Sequence, residues 1–236
     1  MHQVFDIKKI LRIFLTAALL TAATANTVCA EPATIAVLGS STAAGTGASQ
    51  PSRSWAGLLQ AWLAQKKEGG NIINLATPGV LSTSALCKQQ VSSNLSELIS
   101  PTRNIDRALK LGATHFILAF PSNDTTNGIP AEQTITNFLD MRKCARLNDK
   151  TRVAVMSSLP RSGLTEQQNA AITQIDTAMR QEFGSCYINV RGSLADTSNE
   201  NPRRELSAGD GVHFNDAGHK VIFNTLKRFM ESGQCF

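Results

Sequence analysis

Five short apolar runs, separated by longer stretches of helical spacing, constrain this chain more than any other feature. Residues 34–38 (TIAVL), 71–75 (NIINL), 114–120 (THFILAF), 152–156 (RVAVM) and 186–190 (CYINV) each read as a buried strand. Gly39 closes the first and Pro121 the third. Between them lie segments that read as helices: 54–66, 84–99, 104–111, 130–147, 165–183 and 216–231. In the first, Trp55, Leu58, Leu59, Trp62 and Leu63 fall on one stripe. Gly112 stops the third, Pro130 suits the first turn of the fourth, and Thr165 is the N-cap of the fifth. Strands alternating with helices call for an α/β fold of three layers, α/β/α, with a five-stranded, mostly parallel sheet covered on both faces. Sites in such sheets form beyond the carboxyl ends of the strands.

The first thirty residues have a different character. Lys8, Lys9 and Arg12 precede an apolar run over 13–23, and small residues stand at 23–25 (ATA) and 28–30 (VCA). This predicts a signal peptide over 1–30, cleaved after Ala30 or, as second choice, after Ala25. The apolar run is short for a membrane anchor, and Val28 suits poorly the position before a lipidated cysteine. Residues 31–236 contain no linker and are expected to form a single domain. With 42% hydrophobic and 17% charged residues the chain is not disordered. Removing 1–30 takes away three basic residues and Asp6, so 20 Lys+Arg face 17 Asp+Glu, a net charge of +3. A mild charge without a basic cluster implies no nucleic-acid partner. The expectation is therefore a secreted or periplasmic protein with no stable membrane insertion.

Cleavage leaves Cys87, Cys144, Cys186 and Cys235. An even count in an exported protein suggests two disulfides, and four cysteines allow three pairings. The pairing expected is Cys87 with Cys144 and Cys186 with Cys235, because the latter ties the last helix to the fifth strand. With no CxxC and no Cys/His cluster, no metal site is expected.

The segments that follow the strands carry the chemistry. They are 39–45 (GSSTAAG), 74–79 (NLATPG) and 121–124 (PSND), joined by the C-terminal 208–219 (AGDGVHFNDAGH). A Gly-flanked serine at a strand-to-helix turn can expose its hydroxyl and offer a backbone N–H to an oxyanion. That hydroxyl needs a base. His213 and His219 are the candidates, since His2 leaves with the signal and His115 begins a strand. Asp210, three residues before His213, can fix an imidazole tautomer across a turn. Each piece alone has an ordinary reading: a turn, a cap, a helix-surface histidine. The ordered combination does not.

These four segments resemble the blocks of the SGNH/GDSL hydrolase family, in the family's order. The resemblance implies a flavodoxin-like SGNH hydrolase fold with Ser41 as nucleophile and Asp210 and His213 completing a catalytic triad. It implies an oxyanion hole from the N–H groups of Ser41 and Gly79 and the amide of Asn123, with no cofactor. Two positions depart from the pattern: Ser40 stands for the Asp before the nucleophile, and Pro121 for the first Gly of the third block. The GxSxG elbow of α/β-hydrolases is absent from the sequence. The implied activity is a serine ester hydrolase acting on a small-molecule or carbohydrate ester. Short connections favour removal of O-acetyl groups from carbohydrate. The alternatives are an arylesterase, lysophospholipase or thioesterase for longer acyl chains, and a non-catalytic carbohydrate-binding relative.

Overall fold

The computed structural model describes residues 32–236 except 68, 89–95, 121, 148–150 and 199. The expected signal peptide and Pro121 lie outside the described residues. The strands are β1 (Thr34–Gly39), β2 (Asn71–Asn74), β3 (His115–Ala119), β4 (Arg152–Met156) and β5 (Tyr187–Ile188). They form one parallel sheet in the order β2-β1-β3-β4-β5. The strand order reverses between β1 and β3, which pair with Val37 opposite Ile117. Ligands bind at such a switch point in open α/β sheets.

Helices cover both faces. They are α1 (Ser41–Ala44), α2 (Trp55–Leu63), α3 (Ile105–Lys110), α4 (Asn123–Thr126), α5 (Ala131–Ala145), α6 (Glu166–Phe183), α7 (Arg191–Leu194) and α8 (Asp216–Glu231). Strand side chains alternate between faces. Ile35, Val37, Ile117 and Ala154 pack on one side with Trp55 and Leu59 of α2 and Ile222 and Leu226 of α8. Ala36, Leu38, Phe116, Leu118 and Val153 pack on the other with Phe138 and Met141 of α5 and Ile175 and Met179 of α6. Each fully buried Leu, Ile or Phe contributes roughly 1.5–3 kcal/mol, so the two cores fix the sheet that carries the site.

Several boundaries follow the sequence closely. Thr165 caps α6 in a reciprocal capping box with Gln168, and Asn104 caps α3 by accepting the Arg107 N–H. Pro130 stands one residue before α5 rather than in its first turn. The strand expected over 186–190 pairs with β4 only at Tyr187 and Ile188. Beyond Ile188 the N–H groups of Val190 and Arg191 donate to the Ser157 hydroxyl, both at 3.1 Å, instead of extending the ladder.

The helix expected over 84–99 is not found in the described part of that segment, which holds 3-10 turns at Ser82–Ala85 and Ser96–Leu98. A helix would bond the Lys88 N–H to the Ser84 carbonyl. That carbonyl instead accepts from Ser100 at 2.9 Å, and the Lys88 N–H donates to the Asp106 carboxylate at 3.0 Å. Long-range partners have taken the groups the helix needs. The disulfides are Cys87–Cys144 and Cys186–Cys235, with Cα atoms 6.5 and 5.1 Å apart. The first ties Cys87 to α5; the second ties Cys186, just before β5, to the chain after α8.

Candidate active site

β1 ends against β3 so closely that a side chain at Gly39 is impossible: a Cβ there would lie 2.4 Å from the Ala119 carbonyl oxygen. Ser40 donates its N–H to that same carbonyl at 3.2 Å and is buried. Its hydroxyl finds no partner among the described residues. The chain then turns into α1 with Ser41 in its first position, where the backbone N–H has no intrahelical acceptor. The single turn of α1 is held from both sides. The Trp55 indole N–H donates to the Thr42 carbonyl at 3.1 Å, and the Asn74 amide to the Ala43 carbonyl at 2.8 Å.

Asp210 and His213 lie in the loop before α8. Asp210 Oδ1 accepts the N–H groups of Val212 at 2.9 Å and His213 at 2.8 Å, closing a tight turn. Its Oδ2 lies 2.6 Å from His213 Nδ1. Burial pushes the Asp210 carboxyl up, but the donors from His213 and Val212 outweigh it and hold the pKa at about 2. An ionised carboxylate only accepts, so Nδ1 carries the proton and Nε2 presents its lone pair. His213 Nε2 lies 2.8 Å from Ser41 Oγ. The loop is pressed onto the Ser41 turn: a Cβ at Gly47, whose φ is +95°, would lie 2.2 Å from the Phe214 carbonyl oxygen. From the other side the Ser162 N–H donates to the Gly211 carbonyl at 2.8 Å.

Gly79 and Asn123 reach the same edge separately. Thr77 donates its N–H to the Gly39 carbonyl at 3.0 Å, bringing the segment after β2 beside the Ser41 turn. Gly79 is exposed, with a φ of +79°. Asn123 opens α4 after β3, and its amide donates to the Val80 carbonyl at 3.2 Å. Ser41, His213 and Asp210 thus form one hydrogen-bonded row. Gly79 and Asn123 are joined to each other through Val80. Among the described residues no hydrogen bond links the two groups.

Three further residues support the site, and of these the sequence singled out only His219. Asp124 is buried and accepts from the Ser82 N–H at 2.9 Å, the Ser82 hydroxyl and the Thr134 hydroxyl at 3.0 Å. It locks the segment after Gly79 to α4 and α5. Asp216 accepts from the N–H and hydroxyl of Ser49, at 2.8 and 2.7 Å, and fixes the loop after α1. His219, one of the two candidate bases, is fully buried. Its Nδ1 accepts the Trp55 N–H at 3.3 Å, so Nε2 carries the proton and donates to the Thr46 carbonyl at 3.1 Å. Burial pushes its pKa down, and it is a neutral strut beneath the Ser41 turn. In sequence, only the acid or imidazole beside a predicted strand end or helix start hinted at these partners.

The described residues hold one grouping of three possible metal ligands, Cys87, Asp106 and Cys144. The two cysteines are bonded to each other, so neither sulfur is a thiolate. No described helix is long and apolar enough to cross a membrane.

A model of the GDSL-like lipase/acylhydrolase family matches residues 37–221. Among solved structures, the psychrotrophic esterase EstA from Pseudoalteromonas sp. is 19% identical, with a TM-score of 0.63 over 84% of this chain and 97% of that one. The lipase Lip_vut3 from a goat rumen metagenome is 14% identical, with a TM-score of 0.64 over 84% and 97%. A two-domain esterase active on acetylated mannans is 17% identical, with a TM-score of 0.60 over 86% of this chain and 50% of that one. At these identities the likeness is one of fold. A search of curated sequences finds no match.

Proposed function

We propose a specific chemistry for a chain that belongs to the GDSL-like lipase/acylhydrolase family and is thereby a carboxylic ester hydrolase: it is an exported serine esterase that removes small O-acyl groups, acetyl above all, from carbohydrate. The observation that carries this reading is the row Asp210 Oδ2–His213 Nδ1 at 2.6 Å and His213 Nε2–Ser41 Oγ at 2.8 Å. With its lone pair on the Ser41 hydroxyl, His213 Nε2 takes the proton as Ser41 Oγ attacks the ester carbonyl. Asp210 stabilises the imidazolium that results. The tetrahedral oxyanion is held by the N–H groups of Ser41 and Gly79 and by the Asn123 amide. Its collapse expels the alcohol, which takes the proton from His213, and leaves an acyl-enzyme on Ser41. Water activated by His213 then releases the acid and restores the serine.

Support for a small acyl group lies in the segments 39–45 (GSSTAAG) and 121–124 (PSND) at the ends of the first and third strands, which are small and polar and carry no long apolar insertion. Support for carbohydrate is the fold likeness to the esterase active on acetylated mannans. The test is a series of p-nitrophenyl esters from acetyl to palmitoyl, followed by acetate release from O-acetylated glycans. The reading predicts the highest kcat/KM at acetyl and acetate released from glycan. A maximum at long chains would transfer the protein to the lysophospholipase or thioesterase reading. Glycan binding without hydrolysis of any ester would leave the non-catalytic one.

A further inference from the structure

We propose that Arg161 determines specificity at this site, receiving a carboxylate that the substrate carries beside the scissile ester. The inference rests on the ester-hydrolase reading and narrows its substrate: within the carbohydrate reading, the acetylated sugar is an acidic one.

Arg161 lies in the loop after β4, at the carboxyl edge of the sheet, and is half-buried. It stands between the two arms of the site. Its Nη1 donates to the Ser122 hydroxyl at 3.4 Å, and Ser122 is the residue before Asn123. Its backbone N–H is held by the Glu200 carbonyl at 2.9 Å, and the next residue, Ser162, donates to Gly211 inside the Asp210 turn at 2.8 Å. The backbone therefore braces the Asp210–His213 arm while the side chain reaches the Asn123 arm.

Among the described residues Arg161 makes no ion pair. A guanidinium carries five N–H donors in a planar fork, and one long contact to a hydroxyl leaves most of them unused. A partly desolvated cation of this shape matches a carboxylate by two parallel hydrogen bonds. A neutral ester would leave it uncompensated. A substrate with a carboxylate near its acyl ester would engage it in the complex where Ser41 attacks.

The test is steady-state kinetics on 3- and 4-acetoxybenzoate against the corresponding acetoxybenzamides, for the wild-type chain, Arg161→Gln and Arg161→Lys. The wild type should favour the carboxylates in kcat/KM by about tenfold or more, the size of a charged hydrogen bond. The ratio should fall toward one in Arg161→Gln, be partly kept in Arg161→Lys, and shrink as salt rises. If Arg161 only braced Asn123, its loss would lower kcat on both substrates and leave the ratio standing. That result, or a wild type with no preference, overturns the inference. Calorimetric titration of Ser41→Ala with 4-acetoxybenzoate, with and without Arg161→Gln, reads the same contact without turnover. Binding that is lost with Arg161 sustains the inference; equal or absent binding overturns it. A wild type inactive on every ester counts against ester hydrolysis, and the titration still decides the role of Arg161.

Discussion

A single carboxylate sets the geometry of the proposed base: Asp210 accepts two backbone N–H groups with one oxygen and the His213 ring with the other. Replacing His213 by Ala should lower kcat by several orders of magnitude, as loss of a triad member does elsewhere. His219→Ala should behave oppositely. Turnover should suffer far less, while the Trp55 N–H and the Thr46 carbonyl lose their partner, costing roughly 1–3 kcal/mol per buried group. Thermal melting beside kinetics on an acetyl ester separates the two histidines. Asn123 has a third signature. Its bond to Val80 is one neutral hydrogen bond, so Asn123→Asp should lose about 1 kcal/mol of stability. As an oxyanion donor, however, it should lose about 10²-fold or more in kcat, because a carboxylate offers no N–H and repels the developing charge. Wild-type turnover in a folded Asn123→Asp protein would take Asn123 out of the oxyanion hole. Asp210 and His213 were legible because they sit three residues apart. The partners of Asp124 and His219 were not, because Asp124 finds Ser82 and His219 finds Trp55 and Thr46 far away in sequence.

Elements were legible where local pattern and tertiary demand agree. All five strands, and helices such as α6 and α8 with side-chain caps at Thr165 and Asn215, follow the sequence within a few residues. The helix expected over 84–99 is missing from the described part of that segment, where Ser100 and Asp106 take the backbone groups of Ser84 and Lys88 that a helix would need. Another tertiary effect links α6 to the loop carrying Arg161. Asp176 of α6 accepts the Ser158 N–H at 2.8 Å, yet burial outweighs that bond and nearby arginines and pushes its pKa up to about 6. The folded state then holds this proton where the unfolded chain has released it. Asp176 therefore costs stability as pH rises from about 4 to about 6. Asp176→Asn keeps an acceptor for Ser158 and should flatten that decline. Melting temperatures from pH 4 to 7 for both proteins check this, and parallel curves would contradict it.

At the scale of the whole molecule, the two disulfides close loops spanning 57 and 49 residues of sequence separation. Each should contribute roughly 2–4 kcal/mol, so reduction with dithiothreitol should lower the denaturation midpoint in urea substantially. A midpoint unmoved by reduction would mean the native contacts hold the segments without them. The proposed export rests on residues 1–30 together with these bonds. Protein recovered from a periplasmic or culture fraction should begin at Glu31 by N-terminal sequencing and carry no free thiol. A start at Met1 would refute the cleavage.

Whether Ser41 is the nucleophile and His213 its activator is decided by treating the intact protein with a fluorophosphonate and mapping the adduct by peptide mass spectrometry. One serine, Ser41, should be modified, with labelling slowed by orders of magnitude in His213→Ala. An adduct on Ser40, or labelling of Ser41 at the same rate without His213, would overturn these two roles.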